Sequence, residues 1–112
     1  MNVQLQIKRE FLDQILAGEK TEEFREVTET NIRKFCEVDA DGNAVSLKKI
    51  KTIEFHNGYK PLNERPVAVV EVKSFDCMPM RDENDEIITD EDGNEEAMFV
   101  FDLGKIISRV NC

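Results

Sequence analysis

The sequence predicts an α+β fold, mainly β: a small barrel-like sheet of five to seven strands with one or two short helices near the N-terminus. Three observations carry this. Several short runs alternate apolar and polar residues with period two, the signature of half-buried strands. Only Arg9–Ala17 shows a clear helical face, with Phe11, Leu12, Ile15 and Leu16 at i, i+1, i+4 and i+5. The run Val67–Phe75 (VAVVEVKSF) is the strongest β-former in the chain and suits a central strand. Short, numerous strands with few helices favour a curled sheet over a layered α/β fold.

Taken in order, Val3, Leu5 and Ile7 alternate with Asn2, Gln4, Gln6 and Lys8 as a first strand. The helix over Arg9–Ala17 meets Gly18, where a left-handed residue caps a C-terminus. Glu19–Glu26 follows as a strand, and Thr28–Phe35 as a short helix with Thr28 or Thr30 as its cap. Asp39-Ala-Asp41-Gly42-Asn43, between Val38 and Val45, is a hairpin turn with Gly42 supplying the positive φ. Ile50–His56 is a strand with Ile53 and Phe55 on one face and Thr52, Glu54 and His56 on the other. Asn57-Gly58-Tyr59 then opens a turn containing Pro61, Asn63 and Pro66. After Val67–Phe75, the segment Met78–Ala97 is an acidic excursion with a hairpin around Gly93, and Phe99–Ile107 closes the sheet with a kink or bulge at Gly104.

At 112 residues, 40% hydrophobic and 35% charged, the chain is one ordinary globular domain, 1–112. It has no apolar run of membrane-spanning length and no signal-peptide core, so a cytoplasmic protein without a membrane partner is expected. The three cysteines, Cys36, Cys77 and Cys112, are odd in number and widely spaced, which argues for buried thiols and against a disulfide framework or zinc knuckle. The DxDGN pentapeptide recurs at Asp90–Asn94, but neither copy completes a twelve-residue calcium loop ending in a bidentate Glu. No metal or cofactor is expected. The net charge of −9 is local: residues 82–96 hold nine acids and no base, which leaves the rest of the chain neutral. Strong sequence-independent DNA binding is therefore disfavoured, while a small basic site remains open.

The residues with most chemistry lie in ILAGEKTEEFRE (Ile15–Glu26). Strand alternation turns Thr21, Glu23 and Arg25 to one side and Lys20, Glu22 and Phe24 to the other. A hydroxyl, a carboxylate and a guanidinium on an inward face need mutual hydrogen bonds or a ligand. Lys20 and Arg25 suit a phosphate or a base edge, with surface ion pairing as the plainer role. Tyr59 either stacks on a base or packs at a rim. Glu71 and Lys73 share the face of Val69, where they either form a solvated cross-strand pair or, for Glu71, meet Arg25 or Lys20 across the cleft. Lys48, Lys49 and Lys51 are the densest basic patch, and the single histidine, His56, fits a polar edge position.

Joined to FHNGY (Phe55–Tyr59), VVEVK (Val69–Lys73) and FVFDLGKII (Phe99–Ile107), the stretch ILAGEKTEEFRE resembles the ASCH domain family. Gly18, Lys20, Thr21, Glu23 and Arg25 match its signature in order, and the resemblance spans the chain except the DxDGN hairpin and the acidic insert at 82–96. It implies a PUA-like β-barrel, with RNA or a nucleotide-like ligand bound in a polar cleft at the helix–strand junction. Some small members of the superfamily are amidohydrolases that deacetylate acetylcytidine with a Thr nucleophile and a Lys base. The nucleophile's position is Glu23 here, and the helical region supplying their carboxylate has no evident counterpart, so that reaction is not expected to carry over unchanged. Three readings follow. The first is ligand binding through Lys20, Thr21, Glu23, Arg25, Tyr59, Glu71 and Lys73. The second is a hydrolase of a nucleoside amide or an RNA phosphodiester, with Lys20 and Glu23 (or Thr21) in the reacting roles. The third is a non-enzymatic domain whose acidic insert docks a basic protein partner.

Overall fold

A computed structural model describes residues 1–93 and 96–112; Asn94 and Glu95, with their part of the second DxDGN turn and of the acidic insert, lie outside the described residues. The chain forms β1 (Asn2–Gln6), α1 (Arg9–Leu16), β2 (Glu22–Glu26), α2 (Glu29–Phe35), β3 (Cys36–Val38), β4 (Ala44–Leu47), β5 (Thr52–His56), β6 (Val67–Pro79) and β7 (Ala97–Val110). It is an α+β domain, mainly β. Five strands make one partly curled sheet in the order β1-β5-β6-β7-β2, and β3 and β4 form a separate ribbon. Among the described residues, β1 and β5 run parallel and the other strand pairings are antiparallel. The curl is that of a half-barrel, with β1 and β2 as its two edges. Among the described residues, no helix is long and apolar enough to cross a membrane.

Side chains of one parity on each strand fill the concave face. Val3 and Leu5 from β1, Ile53 and Phe55 from β5, Val70 and Val72 from β6, and Phe99, Phe101 and Leu103 from β7 are buried there with Leu12 and Ile15 of α1. Phe35 at the end of α2 plugs the centre: its ring meets Phe99 at 5.2 Å and Phe101 at 5.1 Å edge to face, while Phe75 stacks on Phe101 at 4.3 Å. Offset and edge-on contacts of this kind add to the burial of large apolar rings.

Local chemistry explains most of the boundaries. The end of α1 is a Schellman motif: Glu19 N–H donates to the Gln14 carbonyl and Gly18 N–H to the Ile15 carbonyl, with Gly18 at φ 78°. That turn uses up the residues before Glu22, so β2 begins three residues later than alternation suggests. Thr28 is the cap of α2, its hydroxyl accepting from Asn31 N–H at 3.1 Å. The Gly42 hairpin forms as expected, with Asp39 Oδ1 accepting from the N–H groups of Asp41 and Asn43. Asn57-Gly58 is not a two-residue hairpin. It opens a longer connection over residues 57–66, and Asn57 spends its side chain on the Ile7 carbonyl at 2.9 Å.

The two longest strands bend where their pairing slips. Register shifts lie between Val69 and Val70, between Val70 and Val72 and between Val72 and Ser74. The second shift leaves an extra residue at Gly104–Lys105 opposite β6, in agreement with the expected bulge. A side chain at Gly104 would run into Glu71, whose Cβ lies 3.2 Å from where a Cβ would stand. The described part of the acidic excursion holds its own backbone hydrogen bonds, Ile88 N–H donating to the Met80 carbonyl and Met80 N–H to that of Glu96. Beyond the Gly93 turn, it contains a second tight turn at Asp82–Glu86, where Asp82 Oδ1 accepts from Asn84 and Glu86 N–H and Asp85 takes φ 63°.

Candidate functional site

The two edges of the half-barrel are β1 and β2, and the Arg25 side chain reaches from one to the other. Arg25 donates from Nη2 to the carbonyl oxygen of Gln6 at 2.9 Å. Around it lies a groove of about 490 Å³ walled by Ile7, Lys8, Phe11, Glu23, Phe24 and Asn31, among others. β2 positions Glu23 opposite Phe101 and Arg25 opposite Phe99 in register, so both acid and base sit on the core-facing side of a strand whose alternate residues are exposed. The Schellman turn sets that parity. One residue more or less before Glu22 would turn both charges to the other face.

Glu23 is only 7% exposed. Its Oε1 approaches Arg25 Nε at 3.5 Å, a Coulombic contact that lacks hydrogen-bond geometry. As a result Glu23 Oε2 and Arg25 Nε are both buried with no hydrogen-bond partner among the described groups. Buried polar atoms of this kind are uncommon and costly. Desolvation pushes the Glu23 carboxyl above the ordinary carboxylate range, against the opposing pull of Arg25, then Lys20, then the Phe24 N–H. The groove also has cations at its margin. The Lys20 ammonium stands 5.8 Å from the centre of the Phe11 ring and 5.8 Å from that of Phe24, over two walls of the groove. Lys34 on α2 lies near enough to Arg25 that burial first, and the Arg25 charge second, lower its affinity for a proton.

Glu23, Arg25 and Lys20 are thus brought together. Thr21 is exposed and lines a smaller hollow of about 270 Å³ with Gly18, Lys20, Gly104 and Lys105, while its carbonyl accepts from Leu103 N–H at 2.8 Å. Tyr59 is 87% exposed on the 57–66 connection and does not line the groove. Glu71 alternates with buried Val70 and Val72, so it lies on the outer face of the sheet against Gly104, the opposite side from Glu23. Lys73 is exposed at the last of the register shifts. The structure therefore does not bring Glu71 across the cleft to Arg25 or Lys20.

Two other expectations are corrected. His56 is not at a polar edge but is 2% exposed. It is held between Glu54 Oε1 at 2.7 Å from Nε2 and Arg65 Nη1 at 3.0 Å from Nδ1. Arg65 can only donate, so Nδ1 accepts and the proton sits on Nε2, pointing at Glu54. His56 keeps the face of Glu54 that alternation gives it, and it is buried there because the 57–66 connection brings Arg65 against it. Of the three thiols, only Cys36 is buried; Cys77 and Cys112 are exposed.

Sequence reading missed Phe11, Phe24, Asn31 and Lys34 as parts of this site. Phe11 was legible as the outermost residue of the apolar face of α1, but Asn31 reaches the groove, and Lys34 the field of Arg25, only through the packing of α2, which no local pattern announces. The chain matches no family model, and it has no significant match among curated proteins or solved structures.

Proposed function

We propose that the protein is a cytoplasmic RNA- or nucleotide-binding domain of PUA-like type that takes its ligand in the groove between β1 and β2. The observation that carries this reading is a groove lined by both Glu23 and Arg25, whose Oε2 and Nε atoms lie shielded just beneath its wall without a hydrogen-bond partner among the described groups, so that a small turn of either side chain would present them to a ligand. A carboxylate oxygen and a guanidinium N–H so placed complement a ligand edge that carries a donor beside an acceptor, as nucleobases do. Phe11 and Phe24 offer flat apolar surface next to that pair, and Lys8 and Arg25 in the groove, with Lys20 over its aromatic walls, supply positive charge for a phosphate. The order Gly18, Lys20, Thr21, Glu23, Arg25, on which the ASCH resemblance rests, supports the same reading. So does the neutral balance of the chain outside 82–96.

The test is a fluorescence titration with the four nucleoside monophosphates and with short single-stranded RNA oligomers. Binding by the wild-type chain that falls on the order of tenfold or more in Arg25→Ala and in Glu23→Gln supports the assignment. Binding that both substitutions leave unchanged, or none at all, overturns it.

A second reading has one observation of its own. A carboxyl that burial holds above its ordinary range is suited to proton transfer, and Glu23 has Lys20 close enough to feel its charge. In this reading the groove hydrolyses a nucleoside amide of the acetylcytidine kind, or an RNA phosphodiester. Incubation with acetylated cytidine and with short RNAs decides it: turnover no faster than that of Glu23→Gln removes the reading.

A further inference from the structure

The opposite face of the same strands bears a second feature, which meets the nucleotide groove only at its border, where Phe24 and Met98 line both. On β2, β7 and the end of β6, the side chains turned away from Phe99 and Phe101 form an apolar row: Phe24 stands opposite Val100, and Met98 opposite Met78. Phe24 is 48% exposed and Met78 is 50% exposed. With Met80 they floor two adjoining grooves, of about 520 Å³ and 610 Å³, that share Met80 and Met98. Three of the four methionines in the chain are gathered here. Methionine is unbranched and polarisable, and surfaces rich in it accommodate apolar side chains of varied shape.

The rim of this floor is acidic. Glu22 and Glu26 border it from β2, Asp76 and Asp102 stand in register beside Val100 and Glu22, and Glu96 comes from the end of the excursion. The one base among the lining residues, Arg81, is occupied with Asp85, donating to its carbonyl at 2.9 Å. We infer that this face docks a cationic amphipathic segment of another protein, its apolar side chains seated on Phe24, Met78, Met80 and Met98 and its Lys or Arg residues on the acidic rim. Charge complementarity selects that occupant. Nucleic acid and anionic lipid are repelled by the rim. A second copy of this chain carries the same net charge of −9, and a two-fold contact would set like acids against one another.

The probe is a fluorescein-labelled helical peptide with Leu at i, i+3, i+4 and i+7 and Lys at its other positions, followed by anisotropy. Two control peptides replace Leu by Ser or Lys by Glu. The inference expects binding of the Leu/Lys peptide alone. It expects both Met78→Ser/Met80→Ser and Glu22→Lys/Glu96→Lys to weaken that binding on the order of tenfold or more, while nucleotide titrations are unaffected by the methionine pair. These positions are exposed or half-buried, and thermal unfolding checks that each variant folds. If the methionine pair does not fold, the charge pair and the Leu-to-Ser peptide still decide. Absence of binding overturns the inference. So does binding that follows charge alone, equal for the Leu and Ser peptides. A wild-type dimer in light scattering that Met78→Ser/Met80→Ser makes monomeric overturns it as well, since the occupant is then a second copy.

Discussion

Burying Glu23 beside Arg25 on the core side of β2 ties the protonation of one carboxyl to the stability of the domain. Desolvation raises its affinity for a proton in the folded state above the ordinary value of 4.5. Below that value the group is neutral in both states and costs nothing. As the pH rises through the folded-state value, the native chain must ionise a buried group, so stability is lost with rising pH rather than gained. Urea unfolding at about pH 4 and about pH 8 should show Glu23→Gln to be less sensitive to alkaline conditions than the wild type. A second substitution separates the two partners. Arg25→Ala strips the carboxylate of its counter-charge and the Gln6 carbonyl of its donor. It should cost about 3 kcal/mol near neutral pH and less in acid, where Glu23 takes up a proton. In the double variant Glu23→Gln/Arg25→Ala, the loss should fall short of the sum of the single losses, as a double-mutant cycle by denaturant unfolding will read. That both residues face inward was legible in the sequence from the spacing after Gly18. The neglect of His56 has an equally local cause: alternation places a side chain on a face but says nothing of the loop that later covers it, and Arg65 arrives from that loop.

At the scale of elements, the devices that aim the site are the Schellman turn and the paired bulges of β6 and β7. Gly18 has open space around it, so its φ of 78° is the reason for glycine there. Gly18→Ala should destabilise by about 1 kcal/mol without any packing clash, measured by thermal unfolding. Gly104 is the reverse case. Its backbone is unremarkable in φ, but the Glu71 side chain occupies the place of its missing Cβ. Gly104→Ala should cost about 1–3 kcal/mol as Glu71 is forced aside, and Glu71→Ala in the same chain should restore part of it. The sequence marked both glycines, one as a helix stop and one as a strand irregularity. It did not reveal that Glu71, read as a cleft residue, is the partner of Gly104 on the outer face. Two register shifts between Val70 and Ser74 change which residues of β6 and β7 stand opposite one another, and period-two reading assumes that none occur.

For the molecule as a whole, the number and type of elements followed from periodicity, whereas the degree of closure did not. A barrel needs its first and last strands to pair, and alternation is the same in a closed sheet and an open one. Here the edges β1 and β2 are joined by the Arg25–Gln6 hydrogen bond, with the helices and the Phe35 plug filling the concave face between. An open seam carrying a charged bridge is a place where binding and folding are linked. A ligand held by Glu23 and Arg25 in this groove binds the native chain alone, because unfolding parts that pair from the walls that Ile7, Phe11 and Asn31 supply. At a free concentration about a hundred times its dissociation constant, it adds about 2.7 kcal/mol to the stability of the fold. For a domain of this size that is a rise in Tm of roughly 10 °C. The nucleoside monophosphate or RNA oligomer that binds should therefore raise Tm in calorimetry in proportion to the logarithm of its concentration. The rise should vanish in Arg25→Ala and persist in Met78→Ser/Met80→Ser, whose side chains lie on the other face of the sheet. A rise of equal size in both variants would move the binding site away from the seam.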